Sequence, residues 1–508
     1  MNNIPSSIKL FLSTIALAIT GMVFSWRLTE IPSRIEITII VSALIIIPSL
    51  KFPKIAIYYI FFISLFVPVL RRMYYLIDTR PKLDFLMLLS DGAMASLFIS
   101  IIMFWIINKQ QNKDRLSFFI LIYIFFLFMK IFVLNTGSTI DGFYGFKFYG
   151  LFTLFYFAAN TLIEDKKAFF TLFRYSSFLL LFVALYSFKQ VFFGYFNFEN
   201  IWADSVQFTT LFIEGRLRTF STLASPAALS DAMNILFILG CFNFIKPTAT
   251  SKIFGMILMA ATAVPLLYAS VRTNWICAIL SIWIFYIFIK RLSFKITLIN
   301  LAVIPLALFF LLNYGEFNSS NQSNTTRPTK GQDITEVMIT NRTRALTNPF
   351  DEYSFQKRLD TWIYIIYEIY YTYPLGKGLG VSGYAHSFYI QVLGDTGYIG
   401  ALLFLIILIT IIVRGIIIVR HEQDQEKKNL AAMCTTIVII VSILNITGTH
   451  LNSHPSDIFF WFCAGCIGFL YQEYKDEANT PEATIEDEKN ALVNAFSQPL
   501  PTHLHTNN

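Results

Sequence analysis

The sequence predicts an all-α integral membrane protein of about 14 (12–14) transmembrane helices, with one large loop outside the membrane that carries an interfacial helix. Three observations predict this class. Of the 508 residues, 55% are hydrophobic and 17% aromatic while only 14% are charged, a balance too apolar for an ordinary soluble domain. Apolar runs long enough to cross a hydrocarbon core of about 30 Å recur along the chain. A single long polar stretch, residues 315–385, interrupts them.

The runs centre near residues 17, 42, 62, 97, 125, 154, 183, 236, 260, 282, 303, 408, 438 and 463. The first lacks a small-residue cleavage site and is expected to stay as the first span rather than leave as a signal peptide. The chain is therefore read as spans one to eleven over 1–314, a loop over 315–385, spans twelve to fourteen over 386–472, and a polar cytoplasmic tail over 473–508. No internal repeat is detectable, which weighs against a transporter built from two related halves.

Orientation follows from the basic loops. Lys109 to Arg115, Asp165-Lys166-Lys167, Lys246 to Lys252 and Lys290-Arg291 to Lys295 belong in the cytoplasm. An even number of spans then puts both termini there. The segments Asn135 to Gly145 and Gly448 to Ser456 hold no Lys or Arg and fall outside. The net charge of +7 is spread over short loops rather than gathered on a soluble domain, so no nucleic-acid partner is expected. Cys241, Cys277, Cys434, Cys463 and Cys466 all lie in apolar segments, where Cys463 and Cys466 read as small packing residues.

Within the long loop, Asn318 to Arg344 is rich in Ser, Thr, Asn and Gln and is expected to be flexible. Phe355 to Tyr373 has an apolar, aromatic face with charges at one end, the pattern of a helix lying on the membrane.

Three groups of cations break the positive-inside bias. Arg71, Arg72, Arg80 and Lys82 either snorkel at a helix end or meet an anion. Arg216 and Arg218 precede Ser225-Pro226, a helix start with Ser as N-cap and Pro at the first helical position. Unpaired N–H groups at that end, with the arginines upstream, favour phosphate; a capped helix with solvated arginines is the plainer reading. Arg272 sits between two tightly joined spans and so reaches the same surface. Arg358 and Lys357 open the interfacial helix, either as a further anion contact or as membrane anchors.

The stretch Pro374 to Gly400 leads through a glycine-rich run to His386 and into a span. If the helix begins near His386, Gly397 and Gly400 fall within roughly 60° of the histidine, letting a neighbouring helix approach closely beneath the imidazole. A capping histidine in a loop is the other reading. Gly376-Lys377-Gly378-Leu379-Gly380 lacks the spacing of a nucleotide-binding loop. It is expected to supply backbone flexibility and close approach, with Lys377 a further candidate phosphate contact. His450 and His454 have an i,i+4 spacing but no acidic pattern and are followed by Pro455, so they read as a chance pair in a loop, and no metal site is expected.

These residues resemble the O-antigen ligase and O-antigen polymerase superfamily of bacterial membrane glycosyltransferases. His386-Ser387, nine residues, then Gly397-Tyr398-Ile399-Gly400 fit that family's signature near the end of its large periplasmic loop. Arg358, Trp362 and the Pro374 to Gly380 run look like its lead-in, Arg216 or Arg218 before Ser225-Pro226 like its first arginine motif, and Ser270-Val271-Arg272 like its second. The likeness covers about Glu214 to Gly400. Two departures stand out: Ser387 replaces a commoner Asn, and the Thr219 to Pro226 wording looks more like exopolysaccharide polymerases than ligases.

The resemblance implies a protein of the bacterial inner membrane. It would transfer a glycan, on the periplasmic side, from an undecaprenyl-diphosphate carrier to an acceptor sugar hydroxyl, without nucleotide sugar, metal or other cofactor. Arg216, Arg218 and Arg272 would hold the diphosphate, and His386 would accept the acceptor's proton. Polymerisation of repeat units is the leading expectation. A ligase acting on lipid A core and a non-enzymatic lipid-linked glycan transporter are the alternatives.

Overall fold

The computed structural model describes residues 34–76, 84–108, 114–133, 136–206, 209–213, 216–290 and 353–478. The expected spans near 17 and 303, Arg80, Lys82, the Asn318 to Arg344 segment and the tail beyond 478 lie outside the described residues. The protein is a helical, multi-pass membrane protein, and among the described residues the helices are relieved only by a two-stranded ribbon of β1 (Phe212–Ile213) and β2 (Arg216–Leu217).

Among the described residues nine helices are long and apolar enough to cross a membrane. They are α2 (Lys54–Met73), α3 (Leu88–Asn108), α4 (Arg115–Phe132), α7 (Lys166–Phe193), α9 (Pro226–Phe244), α10 (Ala249–Ala269), α11 (Arg272–Ile289), α13 (Phe388–His421) and α14 (Gln425–Thr447). The remaining expected spans take other forms. The run near 42 forms α1 (Arg34–Lys51), whose apolar stretch is only Ile37–Ile46. The run near 154 is not one helix: α5 (Thr139–Tyr149) and α6 (Leu154–Leu162) are separated by a 3₁₀ turn at Leu151–Thr153.

The run near 463 forms α15 (Ser456–Ala478), which continues past the expected boundary at 472. Its apolar run from Ile458 to Leu470 is bounded by Asp457 and by Gln472-Glu473. Ile458, Phe459, Phe462, Cys463 and Cys466 are fully buried, so α15 is apolar because neighbouring helices surround it. All five cysteines are free thiols. Between α7 and β1 lies the short helix α8 (Asn197–Val206), and α12 (Tyr353–Tyr371) is the helix expected on the membrane. It buries Ile365 and Ile369 against Ala385 and Leu393, while Tyr367, Tyr370 and Tyr371 are more than half exposed on its other side.

The two ends of the bundle differ in chemistry. At one end cations are neutralised across helices: Lys54 to Glu164 at 3.1 Å, Lys166 to Asp424 and Glu426, Lys427 to Glu473 and Glu477, and Arg414 to Asp114 at 2.5 Å. At the other end the chain reversals are tied by hydrogen bonds between backbone and side chains. Arg72 does not snorkel. It is buried, donates to Ser221 O at 2.6 Å and Leu223 O at 2.5 Å, and lies over the Phe220 ring. Arg71 likewise stays in the protein, on Asp84 at 2.6 Å.

Candidate functional site

The site is assembled where the start of α13 meets the end of α14. Ala385 is buried, with its carbonyl accepting from Trp362 Nε1 on α12 at 2.7 Å. The next residue, His386, has φ +53°, the left-handed region that costs an L-residue about 1 kcal/mol or more. Ser387 then caps α13 in an extended conformation. This turn presents the half-buried imidazole beside the Tyr384 ring, 4.3 Å between centroids. Burial, and next the nearby Arg358 charge, pull the His386 pKa below its ordinary 6.5.

Two of the expected residues, Ser387 and Arg358, bond to the end of α14, and close neighbours of His386 and Arg272 do the same. Phe388 N, two residues beyond His386, donates to Gly448 O at 2.9 Å, and Ser387 Oγ donates to Asn445 O at 3.3 Å. Arg358 Nη1 on α12 donates to Thr447 O at 3.3 Å. The Thr447 hydroxyl bonds Thr273 Oγ1 at 3.1 Å, which ties in the first turn of α11 beside Arg272. Arg272 opens α11 just after Ser270, whose φ of +53° turns the chain tightly out of α10.

Arg218 belongs to the same knot in a different capacity. Its Nε donates to Ala269 O at 2.8 Å and its Nη1 to Thr210 O at 2.9 Å, and Nη2 also reaches Ala269 O. At least three of its five donors are thus spent on backbone carbonyls. The cavity beside it is about 40 Å³, room for a few waters but not for a diphosphate. Arg218 thus clamps the turn that leads into Arg272. Arg216 opens β2, where it pairs with Ile213. Ser225 caps α9 as expected, accepting from Ala228 N at 3.2 Å.

The helical-wheel reading of His386, Gly397 and Gly400 is overturned. Gly397 has φ +68°, ψ −167°, which breaks α13 two residues after Asp395, and the angular relation does not carry across the break. What packs on Gly397 among the described residues is the glycine-rich run: a Cβ there would collide with the Pro374 and Leu375 backbone, and one on Gly376 with the backbone from Asp395 to Gly397. At Gly400 a helix does approach closely, since a Cβ there would come within 2.9 Å of the Phe126 ring on α4. The splice repairs the helix. Tyr398 N, whose helical acceptor would be Gly394 O, donates instead to Pro374 O at 3.1 Å. Gly394 O accepts from Lys377 N at 2.9 Å, and Asp395 O from Gly378 N at 3.1 Å. The run is thus a hydrogen-bonded collar on α13, not a flexible hinge.

Asp395, which no sequence pattern singled out, anchors the collar. Its fully buried carboxylate accepts from Tyr149 OH at 2.7 Å, Gly380 N at 3.0 Å, Ser382 N at 2.8 Å and Ser382 Oγ. Lys130 at the end of α4 adds a bond to Leu375 O at 2.8 Å. Lys377 does not join the cationic cluster, because its ammonium is paired with Glu368 on α12.

His450 and His454 do not act on a common partner, in line with a chance spacing, but neither is idle. Each holds its own carboxylate, His450 Nδ1 to Asp231 at 2.6 Å and His454 Nδ1 to Asp457 at 2.9 Å. Asp231 also accepts from Ser456 at 2.9 Å and Asn274 at 3.1 Å, so one buried carboxylate ties α9, α11 and α15 together behind the site. Among the described residues no group of three or more His, Cys, Asp or Glu could hold a metal ion.

No family model matches the chain, and no curated protein matches it.

Proposed function

We propose that this protein transfers a glycan from an undecaprenyl-diphosphate carrier to an acceptor sugar hydroxyl at the Arg272 end of the bundle, and that the acceptor is a second lipid-linked glycan, so that the reaction lengthens a polysaccharide. The observation that supports the reading is the knot at Thr447 and Gly448, where Arg358, Thr273 next to Arg272, and Phe388 two residues after His386 are hydrogen-bonded to the same chain end.

The chemistry needs these groups. The acceptor oxygen forms a bond to the anomeric carbon as its proton passes to a neutral imidazole nitrogen of His386. The bond from that carbon to the diphosphate oxygen breaks, and the diphosphate departs with the electron pair. Arg272 and Arg358 offset the charge that develops there, and guanidinium groups suit phosphate because their donors form a planar fork. Arg218 acts through Arg272 by fixing its turn. The lowered His386 pKa keeps the imidazole neutral at neutral pH, the form a general base requires.

Orientation supports the same reading. Lys54, Lys166, Lys246, Lys290 and Lys427 share the end opposite the site, as the positive-inside bias requires if the site faces the periplasm. The exposed tyrosines of α12 then lie at the membrane surface, where a lipid-borne donor arrives.

The test is reconstitution. Purified protein supplied only with undecaprenyl-diphosphate repeat units should build a ladder of longer lipid-linked chains. A protein that makes no ladder alone, but transfers the glycan once lipid A core is added, is a ligase and not a polymerase.

A further inference from the structure

At the end of the bundle opposite the proposed transfer site, α7 and the turn between α9 and α10 enclose a cavity of about 510 Å³. Two cations line it, Arg174 on α7 and Lys246 in the turn, and no carboxylate does. Lys54, Lys166 and Lys427 at the same end each sit on a carboxylate. Among the described residues no ion pair is formed by Arg174 or Lys246, nor by the exposed Lys167 and Lys252, but only Arg174 and Lys246 line a cavity. Lys246 finds Asn243 Oδ1, at 3.1 Å, and the rings of Phe242 and Phe170, 4.5 and 5.4 Å from its ammonium.

We infer that this cavity is a binding site for the phosphate head of an anionic membrane lipid, held by Arg174 and Lys246. The two cations are close enough to oppose each other: burial first, and then the Arg174 charge, lower the Lys246 pKa. The acid whose charge acts on Lys246 is Glu426, which is already held by Lys166 at 3.0 Å. A bound phosphate removes the repulsion and accepts from both cations. Ser251 lines the same cavity, and its hydroxyl, which accepts from Thr248 Oγ1 at 2.7 Å, keeps its own hydrogen to donate.

The walls identify a lipid rather than a free anion. Phe170, Phe173 and Phe254 line the cavity, as does Phe178, which is 50% exposed on the outer face of α7. In a membrane protein that face meets acyl chains, so an occupant with a phosphate head and an apolar body satisfies both halves of the site. Its place at the lysine-rich end makes this a second lipid contact, independent of the glycan reading.

Native mass spectrometry of the delipidated full-length protein, titrated with phosphatidylglycerol, tests the site. Wild type and Lys252→Gln, which alters an exposed lysine at the same end outside the cavity, should retain one lipid with the same affinity. The double variant Arg174→Gln, Lys246→Gln, checked for an unchanged elution volume, should bind it about tenfold or more weakly, as expected for losing charged hydrogen bonds. Millimolar inorganic phosphate should not displace it. Equal retention by the double variant, or equal loss in Lys252→Gln, overturns the site, and displacement by inorganic phosphate alone overturns the lipid assignment.

Discussion

Arg358 Nη1 donates to Thr447 O at 3.3 Å, so a guanidinium from the loop helix rests on the last carbonyl of a membrane helix. A helix C-terminus is the negative end of its dipole, and the contact holds the cation within electrostatic reach of His386. The proposed base and a proposed phosphate ligand are therefore coupled.

That coupling predicts a pH effect. With the His386 pKa lowered, the neutral imidazole persists to mildly acid pH, and activity should fall only as the pH drops through that lowered value. Arg358→Gln removes one of the two lowering causes. Its acid limb should move to higher pH, towards the ordinary 6.5, in addition to any loss of rate. A pH–rate profile of both proteins checks this, and an unmoved or downward-shifted limb contradicts it.

Arg272 and Arg218 should fail in different ways. Arg272→Lys and Arg272→Ala are expected to express and fold normally but lose at least about tenfold in transfer, since Lys lacks the bidentate fork. Arg218→Ala abandons Ala269 O and Thr210 O and should lower thermal stability as well, by about 1–3 kcal/mol. Thermal unfolding measured beside activity separates the two; a stable, inactive Arg218→Ala would make it a ligand after all.

The collar on α13 gives a stability prediction. Gly397→Ala adds a Cβ at φ +68° and against the Pro374 and Leu375 backbone, and should cost about 2 kcal/mol or more. Asp395→Ala leaves Tyr149 OH and the Gly380 and Ser382 amides without their acceptor, at a similar cost. Both should expose the Pro374 to Gly383 run to limited proteolysis. Wild-type resistance in both variants would show that the collar is held by something else.

Sidedness is checked with single cysteines in a background lacking the native five. A cysteine at Tyr384, 61% exposed beside His386, should react with an impermeant maleimide in cells whose inner membrane is intact. A cysteine at Thr250 should react only after that membrane is permeabilised.

The nine span-length helices were legible because each is a continuous apolar run, and Ser225 and Arg272 because caps and tight junctions are local. Other features depend on partners far along the chain. The break at Gly397 exists because the Pro374 to Gly378 backbone replaces helical hydrogen bonds there, and no periodicity within α13 announces it. Arg72 and Arg218 were visible as cations at the correct end, but their carbonyl acceptors lie about 150 and 51 residues away. Asp395 and Asp231 look like isolated acids in apolar helices until tertiary structure supplies their donors. The split at Leu151 and the burial of α15 likewise follow from packing that composition does not encode.

The most direct test of the central claim is single-turnover transfer by His386→Ala with an undecaprenyl-diphosphate repeat unit as both donor and acceptor. The variant should insert, fold and bind the donor like wild type, yet transfer about 10²-fold more slowly or worse, the usual contribution of a general base. Transfer at the wild-type rate would contradict the account, because it would leave the residue held in place by Trp362, Tyr384 and Arg358 without a part in the chemistry.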